Sequence, residues 1–509
     1  MKPQSTLEEY FAPFREYTIG RNQAFESAFG EQQIVYADWT ASGRAYRPIE
    51  DFIQQNILPF VANTHTETTV TGTLISKAYE EAKTIIKRHV NADSDDVLIF
   101  CGSGMTAAVN KLQRLLGMRM PERITDYLKK GSAGFETDED LRPVVFITHM
   151  EHHSNQITWL ETIATVEIID CDAEGYVDLE HFQSLLLKYA NRKNKIAAVT
   201  ACSNVTGIET PYHKIATIIH ANGGLCFVDF ACSAPYVDMD MHPAKNGAHL
   251  DAIYFSPHKF LGGPGTPGVL VFNNKLYKNT IPDQPGGGAI VYSNPWQELE
   301  YTKDIEHRED AGTPPFLQAI KAAMCVRLKE AMGVENILQR EEELLHIVFD
   351  RFRKIPNIQI LQDNVTARLG VISFVIADAH YNLIVKLLND RFGIQTRGGC
   401  SCAGTYGHKL FNIDKTQSHK ILDDILDGNL QCKPGWIRLS LHPTMTDAEV
   451  NFIMDSIEET ALNFEDWGKD YVYYRGRNEY VFKGTAVEFD IGRWFEAAAW
   501  QPFVYLAQA

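Results

Sequence analysis

Seven short apolar runs recur between residues 95 and 272, each bounded by polar or glycine-containing segments. They read DDVLIF (95–100), VVFITHM (144–150), VEIID (166–170), KIAAVTA (195–201), LCFVDF (225–230), AIYFS (252–256) and GVLVF (268–272). Continuous apolar character without alternation predicts strands buried on both faces. Helical patterns lie between several of them (MTAAVNKLQRLLG, EHHSNQITWLETIA and 212–222, which stops at Gly223-Gly224). Strands of this kind separated by helices predict a parallel sheet covered on both faces. Ligands on such sheets sit at the carboxyl ends of the strands.

After about residue 316 the texture changes. Long helical runs lead to the strands LGVISFVIA and WIRLSLH (436–442), and Thr446 with Glu449 fits a helix-opening capping box. The expected fold class is therefore α/β: a large three-layer domain with a mainly parallel seven-stranded sheet, plus a smaller C-terminal α+β domain. The expected divisions are an N-terminal helical segment (1–35), the large domain (36–315), the small domain (316–466) and a C-terminal extension (467–509) with no readable period. Residues 120–142 read as a surface excursion. A chain of 509 residues accommodates such a plan, since units run to about 150 residues or more.

Charge and cysteine usage narrow the setting. The balance 48 − 65 = −17 disfavours nucleic acid and anionic membranes as partners. No run approaches the ~18 apolar residues of a membrane span. The start, MKPQSTLEEYFAPF, lacks the apolar core of a signal peptide. Nine scattered cysteines, an odd count, point to a reducing compartment, so a cytoplasmic location is expected.

The chemistry gathers at strand ends. CGSGMTAAVNK places small residues between a strand and a helix, where amide N–H groups suit a phosphate. EHHSN (151–155) offers two histidines, equally readable as capping or solvated residues. Asp229 ends an apolar strand, a costly place for a carboxylate without a cation or donor. Lys259 follows Ser256-Pro-His258 and precedes a run of glycines expected to allow close backbone approach to a ligand or second subunit. A phosphate cradle, an imidazole for a ring face, a carboxylate for a pyridinium nitrogen and an amine for a Schiff base are together what pyridoxal 5'-phosphate requires.

Asp229 followed thirty residues later by SPHK resembles the class V branch of fold-type I pyridoxal-phosphate enzymes, and within it the group II cysteine desulfurases and selenocysteine lyases. The likeness runs from Tyr36 to about Leu462, through YADWTASG, GSGMTAAVN, MEHHSN, SNVTG, VDFACSAPY, SPHK, AGTP and RGGCSCAG. It implies a Schiff base on Lys259, a ring stacked on His152, and Asp229 paired with the pyridine nitrogen. It implies Asn204 near the phenolic oxygen and the substrate. Thr106, Ser256 and His258 would meet the phosphate, with backbone from Gly104 and Met105. Thr302, near Gly286 to Gly288, would reach the phosphate of the partner subunit. A small amino-acid substrate and a homodimer with active sites at its interface follow from the same likeness.

Reaction type turns on TRGGCSCAGTYGH (396–408). Its two cysteines are readable as buried structural residues, as ligands of a metal with His408, or as a nucleophilic thiol. No metal is expected. By the resemblance, Cys402 takes sulfur from the substrate, and Arg438 forks its α-carboxylate, a task suited to guanidinium. Arg397 and Arg438 would bring positive charge to both thiols, as a thiolate needs. The chain departs from the pattern at Cys232, where glutamine is common, at the additional Cys400, and in a longer 403–435 segment. Three functions stay open: desulfurase-like C–S or C–Se cleavage with an unidentified sulfur-acceptor protein; a class V aminotransferase, epimerase or other lyase; and an inactive protein that keeps the fold for binding.

Overall fold

In the computed structural model residues 6–64, 68–124, 139–484 and 490–496 are described. The N-terminal stretch, expected to be helical over 1–35, has among its described residues the helices Leu7–Tyr10 and Ala12–Glu16. It continues as a hairpin of β1 (Ala24–Ser27) and β2 (Gly30–Gln33), with Gly30 at φ +95° closing the turn. Strand β3 (Val35–Tyr36) then pairs in parallel with Ile394–Gln395. That partner comes from far along the chain, so local pattern does not reveal the strand.

The seven apolar runs form one sheet, as expected. They are β4 (Asp96–Cys101), β5 (Val144–Thr148), β6 (Thr165–Ile169), β7 (Lys195–Thr200), β8 (Leu225–Asp229), β9 (Ala252–Phe255) and β10 (Gly268–Asn273). Their order is β4-β10-β9-β8-β7-β5-β6. All are buried along nearly their whole length except the edge strand β6. The parallel pairs are β5–β6, β5–β7, β7–β8 and β8–β9. Strand β10 runs antiparallel to both β4 and β9. Only residues 256–267 separate β9 from β10, and they hold a single 3₁₀ turn (Pro257–Lys259), not the helix that a parallel crossover normally uses. The chain doubles back, and the lysine loop lies on the edge where β4, β5, β7 and β8 also end.

A hairpin of β11 (Ile290–Ser293) and β12 (Leu299–Tyr301) follows, with Val291 and Trp296 among its exposed residues. A second sheet has the order β13-β14-β17-β16, all antiparallel: β13 (Ile358–Ile360), β14 (Val371–Ile376), β16 (Arg397–Gly399) and β17 (Trp436–Ser440). Strand β15 (Ile394–Gln395) is the segment that holds β3. The Thr446–Glu449 capping box opens the helix Asp447–Gly468 as expected. The long 403–435 segment forms helices Gly404–Leu410 and Lys415–Leu426, the latter without a buried residue. The unread tail begins as a hairpin of β18 (Tyr471–Tyr474) and β19 (Glu479–Phe482). Most of the expected 120–142 excursion lies outside the described residues. No described helix is long and apolar enough to cross a membrane.

Candidate active site

A cavity of about 460 Å³ opens at the shared strand edge. Large-sheet loops supply Gly104, Met105, Thr106, His152, Asn204 and Asp229, then Cys232, Ser256, His258 and Lys259. The second sheet and its loops add Arg397, Cys402 and Arg438. Every site residue expected from sequence lines this cavity except Thr302. That residue follows β12, where its N–H donates to the Ala289 carbonyl at 2.9 Å.

The glycine turn after β4 is tightly built. Gly104 has φ +60°, and a Cβ there would lie 2.8 Å from Ser256 Oγ. The Met105 N–H donates to Ser256 Oγ at 2.8 Å, and the Thr106 and Ser154 hydroxyls meet at 2.7 Å. These groups make a small-residue cradle with hydroxyls and a helix start facing the cavity, a fit to phosphate. The glycines after Lys259 do something else than expected. A Cβ at Gly263 would meet the Pro257 carbonyl oxygen at 2.0 Å, and one at Gly262 would meet Ile49 at 2.7 Å. They let the loop fold on itself and on the protein core.

Electrostatics separate the groups into roles. Asp229 is buried, with Oδ1 accepting the Ala231 N–H at 2.8 Å, and burial raises its pKa to about 6. Burial lowers the pKa of Lys259 below the usual lysine value, with Cys232 and Asp229 opposing. His152 caps the helix His153–Leu160, Nδ1 accepting the Ser154 N–H, and burial lowers its pKa to about 3. Burial likewise lowers His258 to about 4. Both imidazoles are neutral at physiological pH. Cys232 contacts Cys202, which pushes the Cys232 thiol down, and both Sγ atoms approach the Ser203 carbonyl, at 3.7 and 3.5 Å.

The substrate side is assembled across the two sheets. Arg438 is buried, donating from Nη1 to the Asn204 carbonyl at 3.1 Å and from Nη2 to Asp38 Oδ1 at 2.6 Å. Its Nε has no partner, and neither has Asn204 Oδ1. Two orphaned buried polar atoms at one cavity wall fit a bound polar ligand. Asp38 was missed in the sequence, although YADWTASG had been singled out; its pairing with Arg438 is too remote for local signals.

The thiol turn is held in an uncommon shape. Ser401 and Cys402 both have positive φ, +50° and +57°. Asn204 Nδ2 donates to the Ser401 carbonyl at 2.8 Å, and the His153 N–H to the Cys402 carbonyl at 2.7 Å. His153 Nε2 in turn accepts the Gly404 N–H at 2.9 Å. The two histidines of EHHSN thus divide their work, one capping a helix and one clasping this turn. Cys402 lines the cavity, whereas Cys400 packs against the apolar core. His408 is engaged by the Gly404 carbonyl and Ser418 Oγ.

A sequence profile of the class-V aminotransferases matches residues 136–453. The chain belongs to the class-V aminotransferase family. Its chemistry is that of pyridoxal-phosphate-dependent enzymes, and this member is such an enzyme. A protein named a probable cysteine desulfurase in Staphylococcus aureus is 28% identical over 389 residues, covering 76% of this chain and 86% of that relative. One of the same name from Halalkalibacterium halodurans is 29% identical over 378 residues, 73% of this chain and 84% of the relative. Among solved structures, the apo cysteine desulfurase of Thermococcus onnurineus aligns with a TM-score of 0.66 at 22% identity, covering 84% of this chain and 95% of that one. The cysteine desulfurase CsdA of Escherichia coli aligns at 0.67 with 20% identity, covering 89% and 98%. These likenesses bear out the expected fold.

Proposed function

We propose that this class-V enzyme binds pyridoxal 5'-phosphate and removes sulfur or selenium from a small amino acid, as a cysteine desulfurase or selenocysteine lyase, with Cys402 receiving the chalcogen. One observation carries the reading: a single cavity brings Cys402 together with Lys259, Asp229 and Arg438. The names of the relatives support it.

When bound, the cofactor supplies an electron sink for the carbanion left at the amino acid's α-carbon when its proton is removed. The protein does the rest. Lys259 Nζ, made easier to deprotonate by burial, holds the cofactor and then moves the α-proton. Asp229 would keep the ring nitrogen protonated, and neutral His152 would offer its imidazole to the ring. Thr106, Ser256, His258 and the Gly104–Met105 backbone would hold the phosphate. Cys232 and Asn204 would serve the phenolic oxygen, and Arg438 with Arg397 would grip the α-carboxylate. The Cys402 thiolate attacks the substrate sulfur as its bond to Cβ breaks, leaving a persulfide for a thiol acceptor, small or protein-bound.

Two copies are inferred to pair about a two-fold axis. The exposed β11–β12 hairpin supports this, since it shows Val291 at 73% and Trp296 at 78% exposure, and Thr302, which follows it, would then reach the partner's phosphate. Nine unpaired cysteines support a reducing, cytoplasmic setting. The test uses purified holoprotein, with twice 57.4 kDa expected by light scattering. L-Cysteine and a reducing thiol should then yield sulfide and alanine. Keto-acid formation with an amino acceptor, and no sulfide, would replace the reading with aminotransfer.

Asp229 offers a separate check. Its folded pKa of about 6 exceeds the ordinary aspartate value of 3.8, so the native state holds the extra proton between those values. The cofactor-free protein should therefore lose stability as pH rises from about 4 to 6, by about 3 kcal/mol, with the loss complete above that. Asp229→Asn should remove this slope in melting temperature while lowering turnover at least ~10²-fold. An unchanged slope, or near-parental turnover, would remove Asp229 from the role.

A further inference from the structure

The tail hairpin β18–β19 lies beyond the matched family region, yet a continuous chain of contacts leads from it to the thiol turn. Asn478, at its tip with φ +54°, donates from Nδ2 to the Tyr381 hydroxyl at 2.9 Å. Its Oδ1 accepts the Tyr473 hydroxyl proton at 2.8 Å, and its carbonyl accepts Asn382 Nδ2 at 2.6 Å. Asn478 is thus held from three sides and in turn holds the ring of Tyr381, which is 6% exposed.

That ring lies directly on the backbone that frames the cysteines. A Cβ at Gly435, the residue before β17, would meet Tyr381 Cε1 at 2.5 Å. One at Gly398, in β16, would meet Tyr381 Cδ2 at 3.1 Å and Asn382 Oδ1 at 2.5 Å. Gly399 has φ +107°, and its Cβ position is 3.9 Å from Tyr381 Cε2. Gly398 is there because Tyr381 and Asn382 occupy the space a side chain would need, and Gly399 because its φ of +107° excludes one, with Tyr381 in contact beneath it. Cys400 follows at once, and Cys402 two residues later. The far side of the turn is clasped by Asn204 and His153. Without a floor under Gly398 and Gly399, that clasp holds one end only.

We propose that the tail hairpin braces the thiol turn, with Asn478 and Tyr381 as positioning residues that set where Cys402 presents its sulfur. This deepens the desulfurase reading and rests on it. A turn with two successive non-glycine residues at positive φ is maintained only when its surroundings over-determine it. The brace supplies that on the side remote from the cofactor groups. It therefore acts on the thiol's placement and leaves Lys259, Asp229 and the phosphate cradle untouched.

The experiment compares the holoprotein with Asn478→Ala, Asn478→Asp and Tyr381→Phe. Asn478→Ala should lower kcat for sulfide release about 10-fold, since misplacing a reacting group by a fraction of an ångström carries losses of that order. The cofactor's absorbance should stay at its parental value. The rate at which iodoacetamide labels Cys402, read by peptide mass against the other cysteines, should shift at least about 3-fold. Asn478→Asp, whose carboxylate accepts the Tyr381 proton instead, should restore both readouts. A lower melting temperature with parental kcat and labelling would make the hairpin a stabilising appendage and overturn the proposal. Should Asn478→Ala fail to fold, Tyr381→Phe, which removes one hydroxyl only, gives the same readouts. If the parent itself releases no sulfide, the desulfurase reading falls, and the labelling rates still decide whether the brace exists.

Discussion

Lys259→Ala is expected to lower turnover by at least about 10³-fold while leaving cofactor uptake largely intact. The phosphate cradle, His152 and Asp229 do not depend on the amine, so the cofactor should still enter the cavity. What disappears is the covalent hold and the group that moves the α-proton. Borohydride should fix the cofactor on a peptide containing Lys259 in the parent and on no peptide in the variant. Among the described residues no other lysine lines the cavity, so none of them stands ready to replace it. An added primary amine should recover part of the rate, because it supplies a base of similar strength in the vacated space. A variant that keeps a tenth of parental turnover unaided would show that proton transfer belongs to another residue.

The second large effect is expected at Cys402. Cys402→Ser should abolish the persulfide, read as a gain of one sulfur on the peptide, and with it sulfide release. The hydroxyl is close to the thiol in size and cannot hold a transferable sulfur. The turn is anchored through the carbonyls of Ser401 and Cys402, not through the Cys402 side chain, so its shape should persist. Cofactor absorbance and the response to bound cysteine should therefore match the parent. Cys400→Ser should cost little, since Cys400 packs against the core and does not line the cavity. Unchanged turnover in Cys402→Ser would leave Lys259 as the sole carrier of the chemistry and favour aminotransfer or epimerisation.

Much of this was legible in the residues because it follows from local physics. Strands buried on both faces are continuously apolar, so all seven were readable, and so were Asp229 and Lys259 at strand ends. The direction of β10 depended on how short the 256–267 loop is, and a reading of apolar runs does not weigh that. The N-terminal hairpin was missed because its strands are short and mostly unburied, and β3 because its partner lies hundreds of residues away. Asp38 was missed for the same reason. His153 could be recognised only as one of two adjacent histidines, since its clasp on the thiol turn crosses between sheets. The described start of the aromatic tail is a short hairpin, Tyr471–Phe482, that packs on the helix Tyr381–Phe392, a contact across the chain that no local pattern carries. The need for glycine at position 398 likewise comes from Tyr381 and Asn382, distant in sequence.

The pairing of β3 with β15, and of Asp38 with Arg438, has a consequence for how the protein is made. Residues 96–273 contain every strand of the large sheet, so that sheet is complete within one contiguous stretch of nascent chain. The lysine, the aspartate and the phosphate cradle can all be in place while synthesis continues, since domains generally fold as they emerge. The carboxylate-gripping wall cannot. Asp38 leaves the ribosome early and waits for Arg438, and closing so long a loop carries an entropic cost that is met only once the second sheet exists. A chain truncated before β17 would keep the residues of the cofactor seat and lack Arg438. The amino acid thus gains its full carboxylate grip only after the large sheet is complete.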